Sequence, residues 1–519
     1  MTHYVDGKTG RGPYRRVNTQ NPDILMISFD MVPREFYLPH AGDLAPRTPN
    51  LDTLKAEGLF FSNAYAVSPL CSPSRASLFT GRYPYIVANG ERAHDGQQEH
   101  IREGDTIYPE YLKAAGYRTR HFGKCHVGAA KFLDAFGEND SPWDRWSPPW
   151  YDDDGYRDYL RARGVRDFQF TREIRGTAPS GEGAGNFLGG WACAGERPFP
   201  KDGTYPAYIT TKALSALDIR RDDRRPFYYQ IDFFEPHQPF FIPSGYEERE
   251  AELRAGCVLP KSWEAAVGGQ HTPQPLVYDR YRRYWGMGDR KTAEDYLVAN
   301  VLQYEILDEQ IGRIMEHLKA SGGYDSTMII LTADHGEMNC RDALVDKGAY
   351  LNPRVLQVPL YLKLPEPGLH GTVIDRLTSL MDISPTILAA AGIEAQTRFD
   401  GKSLLEPGTG GRQLLAEVFS HVVPNPASCL IREQAGETTL YTVNFADSVD
   451  EFYRQSPGGI WDEANQIGSD DGGQEEILKQ MLAVFEADER WVSYAAFLRL
   501  IHADKLGGAA DQQKFVSAG

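Results

Sequence analysis

Asp23-Ile-Leu-Met-Ile-Ser-Phe-Asp30 is an apolar run that ends on an acid. A near-continuous apolar stretch of this length reads as a strand buried on both faces, the kind found in mainly parallel sheets. Working outward, similar runs occupy residues 117–122, 227–234 and 328–332. Each is followed by groups able to do chemistry: Lys124 and His126, then His237, then Asp334 with His335. Helical patterns lie between them, at residues 48–57, where Thr48 and Pro49 suit a cap and first-turn pair, and at residues 293–320. The alternation predicts an α/β protein with a large, mostly parallel sheet sandwiched by helices. Ligands on such sheets bind outside the carboxyl ends of the strands, so four polar clusters at one rim mark that rim as the candidate site.

After about residue 401 the pattern changes. Residues 416–423, 428–433 and 438–444 predict short antiparallel strands, and residues 474–486 a helix. The division is therefore a main α/β domain over residues 20–400 and a smaller C-terminal α+β subdomain with a helical extension over 401–519. Residues 491–501 are apolar enough to pack on the body or on another subunit, and a homo-oligomer contact is the favoured use. The Gly-, Pro- and aromatic-rich residues 141–200 read as a long insertion near the site.

Of the 519 residues, 41% are hydrophobic and 24% charged, as in ordinary soluble globular proteins. The polar first twenty residues lack a signal-peptide run, and no apolar stretch reaches the ~18 residues of a membrane span. A cytoplasmic protein is expected. Its six cysteines, none in a C-x-x-C pair, are expected to be free thiols. A net charge of −17 argues against nucleic acid or an anionic membrane as partner. It also means that an anionic substrate would need a local cluster of cations.

Pro69-Leu-Cys-Ser-Pro-Ser-Arg-Ala-Ser-Leu-Phe-Thr-Gly81 supplies the start of one. Cys71 lies just ahead of a predicted helix with Pro73 in its first turn, where exposed amides favour negative charge, and Arg75 follows one turn on. The pattern C-x-P-S-R followed by L-F-T-G resembles the formylglycine-dependent sulfatases of the alkaline phosphatase superfamily. The likeness continues through Asn21-Pro-Asp-Ile-Leu, Thr48-Pro-Asn-Leu-Asp, residues 116–126, Thr332-Ala-Asp-His-Gly-Glu337 and Asp346-Lys-Gly348, covering residues 20 to 460.

What the resemblance implies is specific. Cys71 would be oxidised to formylglycine (3-oxoalanine) by a separate maturation enzyme. One divalent metal, Ca2+ with Mn2+ as alternative, would be held by Asp30, Asp334, His335 and an oxygen of the modified Cys71. Many relatives carry a second acid after the first, and here that position is Met31. Arg75, Lys124 and Lys347 would hold the sulfate. His237, with Lys347, would protonate the departing alcohol, and His126 would contact the formylglycine diol and remove its proton. Arg82 and Asn89, just beyond the motif, are further candidates, Arg82 as a support of the nucleophile loop. The substrate would be a small-molecule sulfate ester, aryl or hydrophobic alkyl, since the aromatics of residues 143–191 and 278–285 suit an apolar pocket. Alternatives are a phosphonate monoester or phosphodiester hydrolase of the same superfamily, and a non-catalytic anion-binding protein with Cys71 unconverted.

Overall fold

The computed structural model describes residues 3–4, 21–40, 42–84, 101, 104–181, 183–219, 225–270, 272–365, 370–408, 411–447, 449–456, 459–469 and 471–506. Its larger sheet contains β1 (His3–Tyr4), β2 (Asp23–Asp30), β3 (Leu59–Phe61), β4 (Arg118–Lys124), β5 (Glu138–Trp143), β6 (Phe227–Pro236), β7 (Thr327–Ala333), β8 (Leu360–Lys363) and β9 (Thr372–Ile374). In space they run β1-β9-β3-β8-β7-β2-β6-β4-β5. Only β8 is antiparallel to its neighbours. Every residue of β2, β6 and β7 is buried, which is why these central strands are apolar without alternation.

These three strands and the neighbouring β4, in the order β7-β2-β6-β4, carry the four polar clusters at their carboxyl ends. Gly123 in β4 shows how closely two of them approach: with φ of 91°, an added Cβ would lie 2.2 Å from the Asp232 carbonyl oxygen in β6.

The motif helix, α1 (Cys71–Thr80), is buried along its whole length. Cys71 is its first residue rather than a residue ahead of it, with Leu70 as the cap position. The expected Thr48 cap on the helix Pro49–Glu57 is not made. Instead Asp308 from a distant helix accepts the amides of Asn50 (3.2 Å) and Leu51 (2.8 Å). A carboxylate does this better than a hydroxyl, being charged as well as an acceptor.

The aromatic insertion builds a second sheet from strands Gln169–Thr177, Ala184–Ala194 and Phe240–Ile242. Trp150 is 1% exposed, and its ring packs edge-on against Phe241 and beside Phe170 and Phe234. Trp150, Tyr156 and Phe199 thereby join the main hydrophobic core, while Trp146 and Tyr151 of the same stretch are exposed. In α2 (Leu276–Trp285), Tyr278 and Tyr281 are likewise fully buried. The long helix α3 (Arg290–Ala320) begins three residues before the expected start, capped by Asp289.

Antiparallel strands β10 (Gln413–His421), β11 (Val423–Gln434), β12 (Glu437–Asn444), β13 (Glu451–Ser456) and β14 (Ile460–Trp461) form the C-terminal sheet. It buries Leu430, Tyr441 and Phe452 against Ile477, Met481 and Phe485 of α4 (Asp471–Glu486) and Leu498 of α5 (Val492–Ile501). The apolar segment 491–501 thus packs on the body through Trp491, Tyr494 and Leu498, while Val492, Phe497, Leu500 and Ile501 face outward. Among the described residues no helix is long and apolar enough to cross a membrane, and all six cysteines are free.

Candidate active site

Asp30 ends β2, and Asp334 and His335 follow the adjacent β7. One ligand atom from each of Asp30, Cys71, Asp334 and His335 lies within 4.8 Å of the others, and all four residues are buried. Cys71 Sγ is 3.2 Å from His335 Nε2 and 3.7 Å from Asp30 Oδ1. His335 Nδ1 sits 2.9 Å from the Gly336 carbonyl, so that nitrogen carries the proton and Nε2 faces the cluster. Two carboxylates and an imidazole are a donor set for a hard divalent ion. The electrostatics agree with a cation site. Burial opposes charge on His335, yet Asp334 and the Cys71 sulfur push it up to about 9.

Met31 fills the position of the second acid with an apolar side chain, fully buried, on backbone of φ 66°. Its amide nonetheless serves the site by donating to Asp334 Oδ1 at 3.1 Å.

Arg75 was expected to hold the substrate anion, but each guanidinium nitrogen already has a protein partner. Nε donates to Asp334 Oδ2 (2.8 Å), one terminal nitrogen to Asp30 Oδ2 (3.2 Å) and the other to the Lys124 carbonyl (3.0 Å). Its guanidinium bridges the Asp30 and Asp334 carboxylates. Lys124 Nζ lies 2.5 Å from Asp30 Oδ2 and 4.0 Å from Cys71 Sγ. Burial and the Cys71 sulfur push the Asp30 carboxyl up, but Lys124, His237 and Arg75 overcome them and hold it well below the usual range. Asp334 moves the other way, raised by burial and by Asp30.

His237 and Lys347 meet on another side of Cys71. Lys347 Nζ lies 2.6 Å from His237 Nε2 and 2.9 Å from Asp346 Oδ1. Burial opposes its charge, but Asp346, Cys71 and Asp30 keep it protonated far above neutrality. The ammonium must therefore donate to Nε2, while His237 Nδ1–H points at the Gln238 carbonyl. His126, with φ of 50°, is half-buried and hydrogen-bonds the Cys71 sulfur. Burial opposes the Cys71 thiolate, and Lys124, Lys347 and His335 more than offset that, holding its pKa well below an ordinary thiol's. Arg82 is half-buried in the turn after α1, its amide donating to the Thr80 hydroxyl at 3.3 Å. Asn89 lies outside the described residues.

Several residues of the site were not among the expected ones. Asp232, fully buried in β6, accepts from Ser28 and from Gln230 Nε2 (2.9 and 3.1 Å). It also faces His121 Nε2 at 3.0 Å and Arg75 at 3.9 Å. Glu235, two residues before His237, is 1% exposed, and burial pushes its carboxyl up to about 8. Glu337 accepts from Tyr296 and Asn300, both at 2.6 Å, bracing the loop after His335. Glu235 and Glu337 lie in the segments that carry His237 and Asp334 but had no role assigned from sequence, and Asp232 reads as an ordinary strand residue.

Comparison with known proteins gives the same answer. The chain is 27% identical over 366 residues to the uncharacterized sulfatase YidJ of Escherichia coli (strain K12), a match spanning 69% of this chain and 65% of YidJ. It is 27% identical over 409 residues to a choline-sulfatase of Rhizobium meliloti (strain 1021), spanning 75% and 72% respectively. A phosphonate monoester hydrolase from Silicibacter pomeroyi shares the fold with a TM-score of 0.70 at 19% identity, covering 90% of this chain and 96% of its own. The sulfatase family model matches residues 22–393, and with the motif cysteine, paired acids and paired lysines converging on one rim, the chain belongs to the sulfatase family.

Proposed function

We propose that this chain hydrolyses small aryl or hydrophobic alkyl sulfate esters at a nucleophile made from Cys71 by a formylglycine-generating maturation enzyme. The observation that carries the reading is the pair of lysines converging on Cys71, Lys124 from the Asp30 side and Lys347 from the His237 side. Together they supply the local positive field that an anionic ester requires of so acidic a chain.

Asp30, Asp334, His335 and the Cys71 position would hold one divalent cation, Ca2+ or, as alternative, Mn2+. It would supply Lewis-acid polarisation and a lowered nucleophile pKa. The hydrated aldehyde would supply two hydroxyls on one carbon, one for attack at sulfur and one for release of sulfate. The chain's own residues do the rest. Arg75 fixes the two carboxylates. Lys124 and Lys347 stabilise charge on the sulfuryl oxygens, the largest expected contribution. The Lys347–His237 pair delivers a proton to the departing alcohol, and His126 moves a proton at the Cys71 side chain.

A phosphonate ester is the second reading, supported by the apolar Met31 and by the likeness to the phosphonate monoester hydrolase fold. The test has two steps. Protein made with a maturation enzyme is digested, and the peptide over residues 56–75 is weighed, then aryl sulfate and aryl phosphonate turnover are compared. Aldehyde or hydrate at Cys71 with a preference for sulfate is the expected result. An unmodified thiol favours simple anion binding, and a strong phosphonate preference overturns the substrate assignment.

A further inference from the structure

One hairpin of the C-terminal sheet reaches the segment that carries Lys347. The β10–β11 pairing slips between Val418 and Ser420, then closes at Val422 between the paired His421 and Val423. Val422 has φ of 60°, a left-handed backbone that a β-branched residue rarely adopts. Bulges re-aim side chains, and such backbone outliers gather at ligand-contacting sites.

What this hairpin aims is His421. Its ring lies parallel to that of Tyr281, with centroids 6.3 Å apart and planes 10° apart, and its Nδ1 is 3.3 Å from the Tyr281 hydroxyl. That hydroxyl accepts the Ala349 amide at 3.0 Å and donates to the His421 carbonyl. Asn425 in β11 donates to the Ala349 carbonyl at 2.7 Å. Between them Gly348 leaves no room: an added Cβ would lie 2.2 Å from the Tyr350 ring and 2.8 Å from that of Tyr281. The backbone around Lys347 is therefore gripped by α2 and the hairpin.

His421 also faces Asp346. Burial pushes that carboxyl up, and Lys347, His237 and His421 together hold it below its usual range. Tyr284 faces Asp346 as well and is half-buried. His421 is half-buried too, and Val422 is 57% exposed, so this corner opens to solvent. Through Tyr281 and Ala349 it adjoins the segment of Lys347, the residue whose ammonium meets His237.

We propose that His421 and Val422 are specificity-determining residues that contact the organic part of the ester. The imidazole and the Val422 side chain would present an aromatic and apolar surface to an aryl or hydrophobic alkyl leaving group. The inference rests on the sulfatase reading above, and its test keeps the two separable.

Converted wild-type, His421→Ala and Val422→Gly proteins are compared by the KM for para-nitrophenyl sulfate and by competitive inhibition with inorganic sulfate, which lacks the organic part. A lost pocket contact predicts a rise of about ten- to a hundredfold in aryl sulfate KM for His421→Ala. The sulfate inhibition constant and the pH profile should stay where they are. Val422→Gly should also raise KM. Because glycine accepts a left-handed backbone, this variant should melt no lower than wild type, which excludes misfolding as the cause. If the sulfate inhibition constant rises in step with KM, or the pH profile shifts, His421 acts on Asp346 and Lys347 and the proposal fails. It also fails if KM does not move. Converted wild type that turns over neither an aryl nor a hydrophobic alkyl sulfate overturns the proposed function on which this inference rests.

Discussion

Lys347 Nζ lies 2.6 Å from His237 Nε2 while both are buried, so a buried ammonium donates a hydrogen bond to a buried imidazole. A pair of this kind helps most when the leaving alcohol is a poor one. Lys347→Met and His237→Ala should each lower kcat on an alkyl sulfate by about a hundred- to ten-thousandfold. On para-nitrophenyl sulfate, whose leaving group needs little protonation, the loss for His237→Ala should be far smaller, whereas Lys347→Met also removes a cation from the sulfuryl oxygens and should lose on both esters. Equal losses on both esters for His237→Ala would show that the pair does not donate the proton.

Removing the proposed metal should expose the cost of the paired carboxylates. Asp334 is already raised by burial and by Asp30, so a chelator should lower the melting temperature as well as abolish turnover. Added Ca2+ should restore both through its preferential binding to the folded state. Activity that survives exhaustive chelation would rule out the metal assignment.

The polar cluster behind the site predicts a stability effect without any substrate. Asp232→Ala would leave Ser28, Gln230, His121 and one edge of Arg75 without their shared carboxylate. Deleting one member of a buried charged pair costs about 3–5 kcal/mol. Denaturant titration should show a loss of that order, whereas one under about 1 kcal/mol would mean that the cluster rearranges freely.

Glu235 should leave its mark on the pH dependence of folding. Burial raises its carboxyl from 4.5 to about 8 in the folded chain, so the folded state holds a proton that the unfolded state releases. Its contribution to stability is therefore fully present below pH 4.5 and is lost as pH rises toward 8. Glu235→Gln should flatten that decline and make the variant more stable than wild type at pH 8. Parallel curves for the two proteins would refute the assignment.

The parts of this site that were legible in the sequence are those whose chemistry sits next to a local pattern. Asp30, Lys124, His237 and Asp334 each end an apolar run, and Cys71 and Arg75 share one helix turn. Contacts between distant segments were not legible. Asp232 is one acid in a buried strand until folding sets it 3.9 Å from Arg75. Asp308 caps a helix 257 positions away, where local pattern favoured Thr48. The grip of Tyr281 on His421 joins residues 140 apart. The aromatic insertion was legible only in part: composition shows the rings, while only the fold shows that Trp150 and Phe199 are buried and Trp146 and Tyr151 exposed.

Met31 offers the most direct trial of the metal site. Its backbone is left-handed, a conformation that Asp and Asn enter more readily than Met. Its side chain is fully buried, and its amide already holds Asp334. Met31→Asp should therefore ease the local backbone while adding a third carboxylate beside Asp30 and Asp334. Without a cation the extra buried charge is costly, so the variant should melt below wild type in chelator. With Ca2+ the added charge raises affinity for the ion, so the gap should close or reverse, and calorimetric titration should show tighter binding than wild type. A variant equally destabilised with and without Ca2+ would place the metal elsewhere.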